Sequence, residues 1–298
     1  MKVVGLETIR LNEYPSILFL QVHTDEGIIG LGENCVGVES VETFIHESIA
    51  PRILGKDPLE INALHETLHQ DFIGYSGSSI AVRATSSIDI ALWDIFGQAV
   101  GKPIYQLLGG KVRDKIRAYN TCAGTGYAKG SSNIDRKRAS QLGVVTDGDY
   151  EDLFAFLNKP EELVHSLKEM GFTAMKIWPF DEAAIRAGGQ TVMGKDLHEG
   201  VDIFRRAREA AGSDFDIMLE MHSLWSAPAA TRIAQAVEHL DLFWIEDALR
   251  HESTEALIRF KDSHRIPVTV GETTGTRWDY LRLLSSRAVD HIMLDPGW

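Results

Sequence analysis

Four acidic residues follow four short apolar runs in the second half of the chain, at nearly constant intervals. Glu220, Glu246, Glu272 and Asp295 lie 26, 26 and 23 residues apart. Such an interval accommodates one strand, one helix and two loops, and repeated strand–helix units form parallel sheets. Because the carboxyl ends of parallel strands meet at one rim, the pattern predicts an α/β fold with four carboxylates at the same rim.

The alternation of strands and helices covers most of the chain after residue 113. Amphipathic stretches at Asp202–Ala211 and Ala227–Leu240 predict two of the helices. The segment from Ala123 to about Tyr150 has no clear periodicity, which predicts a long loop. The predicted strands are Ile116–Tyr119, Ala174–Ile177, Ile217–Leu219, Leu242–Ile245, Val268–Val270 and His291–Leu294.

The first 113 residues have a different order, with strands first and helices afterwards. Apolar residues at three- and four-residue spacing predict a helix from Ser78 to Ala99, and Gly101 and Pro103 then end it. The predicted strands contain Val3–Leu6, Ile17–Val22 and Ile28–Leu31. We therefore predict an α+β domain at 1–113 and a second domain at 114–298.

The composition argues against a nucleic-acid-binding protein and a membrane protein. The 298 residues include 30 basic and 43 acidic side chains, a net charge of −13, which argues against a broad nucleic-acid-binding surface. The longest apolar run near the start, Ile17–Leu20, predicts neither a signal peptide nor a membrane span. Cys35 and Cys122 are predicted to be reduced thiols of a soluble cytoplasmic protein, with one bridge between them as the alternative.

Three carboxylates at one rim repel one another unless a cation lies between them. Hard oxygen ligands on adjacent strands suit Mg²⁺, so Glu220, Glu246 and Glu272 are the predicted metal ligands. The alternative is that each acid merely begins a loop or caps the next helix.

Two further polar residues are predicted at this rim. Lys176 interrupts an apolar run, and a buried lysine needs an anionic partner. His222 follows Glu220 by two residues, so both side chains point to one face of an extended chain. Its pKa near neutrality would let His222 donate a proton, and an ordinary loop histidine is the alternative.

The chain resembles the enolase superfamily, in its mandelate racemase and sugar-acid dehydratase branch, over essentially its whole length. The residues that carry the resemblance are Thr24–Gly27, Gly32–Glu33, Ser87–Asp94, Leu107–Gly110, Lys176, Glu220, Trp244–Asp247, Gly271–Glu272 and Leu294–Asp295. The resemblance implies an α+β capping domain, 1–113, over a modified TIM barrel of the (β/α)₇β type. The barrel domain, 114–298, is expected to be incomplete, because the sequence ends after the sixth predicted strand.

The resemblance also implies roles for site residues. Glu220, Glu246 and Glu272 match its Mg²⁺ ligands, and Lys176 matches the first lysine of its Lys-x-Lys motif. The shared reaction is abstraction of the proton α to a carboxylate, in which Mg²⁺ and a nearby cation stabilise the developing charge.

Two departures from the family pattern affect the predicted base. Trp178 replaces the second lysine, so two-base racemisation is disfavoured and Trp178 becomes a candidate substrate-binding residue. Asp295 matches the acid of an Asp–His dyad, but the dyad histidine is not in the sequence. We therefore expect the chain as written to lack full activity.

The motif Glu220–His222 followed by Ser226–Pro228 is most similar to galactonate-type dehydratases, in which the histidine protonates the departing hydroxyl. The short link Asn12–Pro15 is also similar to theirs. We predict a hydro-lyase, a homo-oligomer, that converts an acidic sugar (an aldonate or aldarate) to a 2-keto-3-deoxy acid. Racemase, epimerase and cycloisomerase activities of the same superfamily are the alternatives.

Two distant alternatives belong to other classes. His65–His69 reads His-Glu-x-x-His, which on a helix is a zinc-peptidase motif, and Asp89 is a conceivable third ligand. The same stretch is also typical of a helix that buries Ile61, Leu64 and Leu68, and this is the favoured interpretation. A non-catalytic binding protein is the other alternative.

Overall fold

The computed structural model describes residues 1–69, 80–124 and 151–298. Most of the predicted loop at 123–150, and the predicted start of a helix at Ser78, lie outside these residues. The N-terminal part begins with an antiparallel sheet in the order β1-β2-β3. Its strands are β1 (Val3–Leu11), β2 (Tyr14–Thr24) and β3 (Ile29–Cys35). All three predicted strands are confirmed.

Helices follow the sheet and cover one of its faces. They are α1 (Val38–Phe44), a π-helical turn (Ile45–Ile49), α2 (Ala50–Ile53), α3 (Ile61–His69), α4 (Ile80–Val100) and α5 (Ile104–Leu107). The apolar stripe predicted for α4 is buried at Ala84, Ile88, Ala91, Leu92 and Ile95. It packs against Leu18, Leu20 and Val22 of β2 in one hydrophobic core.

Strand β3 lies directly against the backbone of α4. A Cβ atom at Gly30 would clash with the carbonyl oxygen of Ala91, and one at Gly32 with that of Ser87. Glycine at alternate positions of β3 therefore lets strand and helix approach more closely than any other residue allows.

The C-terminal part contains five parallel strands in the order β4-β5-β6-β7-β8. They are β4 (Ala174–Ile177), β5 (Asp216–Glu220), β6 (Ile245–Glu246), β7 (Val268–Val270) and β8 (His291–Ile292). The helices are α6 (Asp152–Asn158), α7 (Pro160–Glu169), α8 (Asp181–Ala187), α9 (Gly194–Ala211), α10 (Ala227–Val237) with a 3₁₀ turn (Glu238–Leu240), α11 (Thr254–Lys261) and α12 (Arg277–Ser286). Both helices predicted in this part, at 202–211 and 227–240, are confirmed.

The predicted strand Ile116–Tyr119 is wrong. Only the next residue, Asn120, forms a bridge to Met175 of β4, and Ile116 is 78% exposed. On one side this segment lies next to β4, and on the other side it has no neighbouring strand among the described residues. Residues 116–119 therefore lack a second strand that would hold them extended. The predicted strands at 242–245 and 291–294 form, but each is reduced to two residues at 245–246 and 291–292.

The second core lies between the parallel sheet and its helices. Each helix contributes a buried face, including Phe156 of α6 and Phe204 of α9, and β5 is buried from Ile217 to Glu220. The described strands form an open sheet in which β8 is an edge.

The N-terminal part contacts loops at the carboxyl ends of β7 and β8. The Asn34 side-chain amide donates to the Gly297 carbonyl oxygen at 2.7 Å, and the Arg83 guanidinium lies 3.6 Å from the centre of the Trp298 ring. A Cβ at Gly275 would contact Val82. The N-terminal part thus lies over the rim at which strands β7 and β8 end.

None of the helices in the described ranges has the length and apolar character needed to cross a bilayer.

Candidate active site

Three of the four predicted rim acids meet in one cluster. Glu220 and Glu246 are the last residues of β5 and β6 and pair in register, and Glu272 follows β7 by two residues. One oxygen from each carboxylate lies within 4.8 Å of the others. Glu220 and Glu246 are essentially inaccessible to solvent, and Glu272 is partly buried. We call Glu220, Glu246 and Glu272 the acidic triad.

Lys176 supplies a positive charge to the triad. From β4 its Nζ donates to Glu220 Oε2 at 2.7 Å and to Glu246 Oε1 at 2.5 Å. Burial alone would lower the pKa of this ammonium, but the charges of Glu220 and Glu246 outweigh burial and raise it. Lys176 is therefore a fixed cation in this arrangement and not a base at neutral pH.

The single positive charge of Lys176 does not balance the three carboxylates of the acidic triad. Burial, followed by the charge of Glu220, raises the pKa of Glu246 to about 7. Burial and the three triad charges raise the pKa of the neighbouring Asp247 to about 8. Buried carboxylates that resist ionisation in this way mark a place where a further cation would be stabilised. The donor set, all carboxylate oxygens, fits a hard divalent cation.

His222 lies beside the triad in the left-handed backbone region, with φ 48°. Its Nδ1 lies 2.7 Å from Oδ2 of Asp181, the first residue of α8. Burial opposes a charge on the ring, but the charge of Asp181 and the hydrogen bond to it raise the pKa of His222 to about 9. The imidazole is thus protonated at neutral pH and able to donate a proton.

Trp178 packs against this histidine. Its ring meets His222 edge-on, with ring centres 5.5 Å apart, and meets Phe156 in the same way at 5.2 Å. The bulky indole of Trp178 therefore lies beside His222, at the position of the second lysine of the Lys-x-Lys motif.

Asp295, the fourth predicted rim acid, does not join the triad. It lies three residues beyond β8, and its Oδ1 accepts a hydrogen bond from the Gly297 backbone N–H at 2.8 Å. The Gly297 carbonyl oxygen is in turn bonded to Asn34. The loop that carries Asp295 is therefore fixed to the N-terminal part.

The His65 and His69 pair does not form a metal centre. The rings stack on α3 with centres 4.0 Å apart, His69 Nδ1 is bonded to the His65 carbonyl oxygen, and His65 lies 3.8 Å from Asp89. Within the described ranges, the acidic triad is the single group of three that meets the geometry for a metal. The helical interpretation is confirmed, because Ile61, Leu64 and Leu68 are buried.

Sequence reasoning assigned no role in the site to Asp181, Trp244 or Tyr119. The Trp244 indole N–H donates to Glu246 Oε2 at 3.0 Å, and the Tyr119 ring lies 5.7 Å from Lys176 Nζ. Trp244 could have been found, because it precedes Glu246 by two residues and shares its face of an extended chain. Asp181 gave no such signal, because it lies 41 residues from His222.

Comparisons with known proteins agree with this geometry. Residues 160–298 match the family model for enolase C-terminal domain-like proteins. Residues 8–109 match the model for the N-terminal domain of mandelate racemase and muconate lactonizing enzyme. An enolase of the mandelate racemase subgroup from Agrobacterium tumefaciens is 41% identical, with a TM-score of 0.85, over 100% of this chain and 71% of its own. The chain belongs to the enolase superfamily.

Other members of the superfamily support the same placement. The D-galactonate dehydratases of Pectobacterium atrosepticum and Klebsiella pneumoniae are 30% and 32% identical over 99% and 96% of this chain. The chain spans about two thirds of their lengths, 68% and 65%. This enolase superfamily member is accordingly an enzyme with a capping domain, built on an antiparallel sheet, and a parallel α/β domain of the modified TIM-barrel type.

Proposed function

We propose that this enzyme is a Mg²⁺-dependent hydro-lyase that removes water from an acidic sugar, an aldonate or aldarate, to give a 2-keto-3-deoxy acid. The observation that carries the proposal is the acidic triad, with Lys176 hydrogen-bonded to it on one side and His222 next to it in the chain. The similarity to D-galactonate dehydratases supports a sugar acid as the substrate class.

Glu220, Glu246 and Glu272 are the residues that would hold Mg²⁺. When bound, Mg²⁺ would make the proton α to the substrate carboxylate more acidic by withdrawing electron density from that carboxylate. The raised pKa of Glu246 fits this assignment, since a divalent cation would remove the cost of its buried charge.

Lys176 would add a second positive charge near the substrate carboxylate. Its ammonium is held by two buried carboxylates, so it stabilises developing negative charge without moving. Because Trp178 stands where the family has a second lysine, we assign no base to this face and place Trp178 against the substrate beside His222.

His222 would give its proton to the hydroxyl that leaves from the β-carbon. Asp181 binds Nδ1, which leaves Nε2 to face the substrate. In this reaction the C–H bond at the α-carbon and the C–O bond at the β-carbon break, and hydroxide departs as water with the proton of His222. The resulting enol becomes the 2-keto product. The α-proton would go to a histidine on the opposite face that Asp295 would orient, a residue that the sequence does not contain.

The assembly and location of the enzyme are also proposals. Ile29 and Leu31 are exposed on the face of β3 that points away from α4, a small apolar surface that suits self-association into a homo-oligomer. Cys35 and Cys122 have free thiols, which is typical of a cytoplasmic protein.

The test is a screen of the full-length protein, treated with chelator, with and without added Mg²⁺, against a panel of aldonates and aldarates. A Mg²⁺-dependent 2-keto-3-deoxy product is the expected result and identifies the substrate. Deuterium uptake at the α-carbon without that product would favour an epimerase instead. A folded, Mg²⁺-bound protein that shows neither would contradict the proposed chemistry.

A further inference from the structure

The two most deeply buried triad carboxylates share one arrangement. In each, one oxygen accepts a hydrogen bond from the Lys176 ammonium, and the other oxygen accepts from a backbone or indole N–H. For Glu220, Oε1 accepts from the backbone N–H groups of Met221 at 3.0 Å and His222 at 2.8 Å. For Glu246, Oε2 accepts from the Trp244 indole at 3.0 Å. The oxygens bonded to Lys176 are Glu220 Oε2 and Glu246 Oε1.

Among the N–H groups bonded to the oxygens turned away from Lys176, the Trp244 indole is the one that belongs to a side chain, and three other rings lie against it. The Trp244 ring meets Tyr119 edge-on, with centres 5.7 Å apart. It also lies 5.4 Å from the His291 ring of β8 and 5.1 Å from that of Phe243. Rings from three segments thus restrict the indole, so its N–H has little freedom to leave Glu246.

Because the Lys176 ammonium bridges Glu246 Oε1 and Glu220 Oε2, these two oxygens face each other across it, whereas Glu246 Oε2 is turned to the indole. Each of the two facing oxygens keeps a lone pair beyond its bond to Lys176 that a cation can use. Mg²⁺ requires a compact octahedron and binds carboxylates through single oxygens at about 2.0–2.1 Å. Ca²⁺ takes about six to eight ligands at 2.3–2.6 Å and often uses both oxygens of one carboxylate. Anchoring Oε2 of Glu246 therefore removes a ligand that Ca²⁺ can use and Mg²⁺ does not need.

We propose that Trp244 is a positioning residue that keeps Glu246 a single-oxygen ligand and so makes the triad prefer Mg²⁺ to Ca²⁺. This inference rests on the proposed metal site but not on the identity of the substrate or on the elimination step. Nothing in the dehydration chemistry itself requires a tryptophan at this position.

The test is Trp244→Phe, which keeps an aromatic ring among its neighbours and removes the N–H donor. Chelator-treated wild type and variant are titrated with Mg²⁺ and, separately, with Ca²⁺ by calorimetry. We expect the Mg²⁺ dissociation constant to rise about tenfold, as is typical when a hydrogen bond to a metal ligand is lost. The Ca²⁺ constant should stay unchanged or fall, so that the preference for Mg²⁺ drops. Trp278→Phe, at a residue 66% exposed, is the control and should change neither constant.

The outcomes separate the inference from the proposed function. If Trp244→Phe raised the Mg²⁺ and Ca²⁺ dissociation constants equally, or changed neither of them, the positioning role would be overturned. A wild type that binds no Mg²⁺ would overturn the metal site and this inference together. A wild type that binds Mg²⁺ but dehydrates no sugar acid would contradict only the proposed reaction.

A second measurement does not require Trp244→Phe to fold. In wild-type protein labelled with ¹⁵N-tryptophan, the indole N–H of Trp244 should exchange slowly with solvent, before and after Mg²⁺ is added. Glu246→Gln should shift this resonance, whereas Glu255→Gln, at an exposed site, should not. Rapid exchange of every indole N–H, or an indole spectrum that Glu246→Gln leaves unchanged, would overturn the proposal.

Discussion

At the residue scale, the chemistry depends on partners brought from distant parts of the chain. His222 was predicted as a proton donor from its spacing to Glu220, but the residue that controls its ring is Asp181 at the start of α8. The left-handed backbone at His222 also departs from the extended chain assumed for the prediction. The structure still brings His222 to Glu220, because the His222 backbone N–H bonds to Glu220 Oε1 at 2.8 Å.

Replacing His222 with asparagine in the full-length protein should separate the two halves of the proposed reaction. Asparagine cannot carry the proton that the leaving hydroxyl needs, so we expect 2-keto product to fall by about 10²–10⁴-fold. Exchange of the α-proton with solvent should persist, because the base is a different group. A colorimetric assay for the 2-keto acid and deuterium incorporation followed by NMR measure the two steps.

The matched control is His239→Asn, at an exposed histidine outside the site. It should leave both rates unchanged. If His222→Asn still formed product at the wild-type rate, the proton-donor role would be wrong.

At the element scale, periodicity predicted the long elements well and the short strands less well. The stripe of α4 and the three strands of the antiparallel sheet follow from local spacing, because each has one buried and one accessible face. Strand β6 contains only Ile245 and Glu246, and Ile116–Tyr119 forms no strand. Whether such a short run is extended depends on its neighbours in the sheet, and local spacing carries no information about them.

The contact between β3 and α4 leaves no room for a side chain at Gly32. We expect Gly32→Ala to destabilise the capping domain by about 1–3 kcal/mol, because the added methyl must push the Ser87 carbonyl away. Gly5→Ala in β1 is the control, since its Cβ would lie 3.9 Å from the nearest atom, the Cβ of His23. Urea unfolding followed by circular dichroism compares the two. Equal stability of both variants would contradict the close approach.

At the scale of the whole molecule, the capping domain and the parallel domain meet at the rim that carries the site. Asn34 holds the loop that contains Asp295, and Arg83 lies on Trp298. The N-terminal part therefore contacts a loop at the same rim as the site, whose residues all belong to the C-terminal part. Asn34 and Arg83, both buried, had no sequence signal that set them apart from other residues of β3 and α4.

Bound Mg²⁺ should stabilise the folded protein as a whole. At a concentration about 100 times its dissociation constant, a ligand specific for the native state adds about 2.7 kcal/mol. For a chain of this size that corresponds to a rise in Tm of several degrees. Differential scanning fluorimetry of chelator-treated protein with increasing Mg²⁺ measures this shift.

The shift should depend on the triad. Glu246→Gln removes one ligand charge and should abolish most of the Mg²⁺-dependent rise, whereas Glu255→Gln, at an exposed acid, should retain it. An undiminished rise in Glu246→Gln would place the stabilising cation somewhere other than the acidic triad.

The sequence by itself determined most of the order of strands and helices, and it determined that Glu220, Glu246 and Glu272 would lie at one rim. The physical reason is that local periodicity sets where a strand ends, and that side chains at equivalent ends of parallel strands share an edge. It also indicated that Lys176 needed an anionic partner, because a buried ammonium cannot remain unpaired.

Only the tertiary structure decided which groups meet. It paired Lys176 with Glu220 and Glu246, placed Asp181 on His222, turned the Trp244 N–H toward one oxygen of Glu246, and left Asp295 outside the triad. These contacts depend on sheet register, loop conformation and the docking of two domains. Such factors act through space between residues far apart in the chain, and local spacing does not encode them.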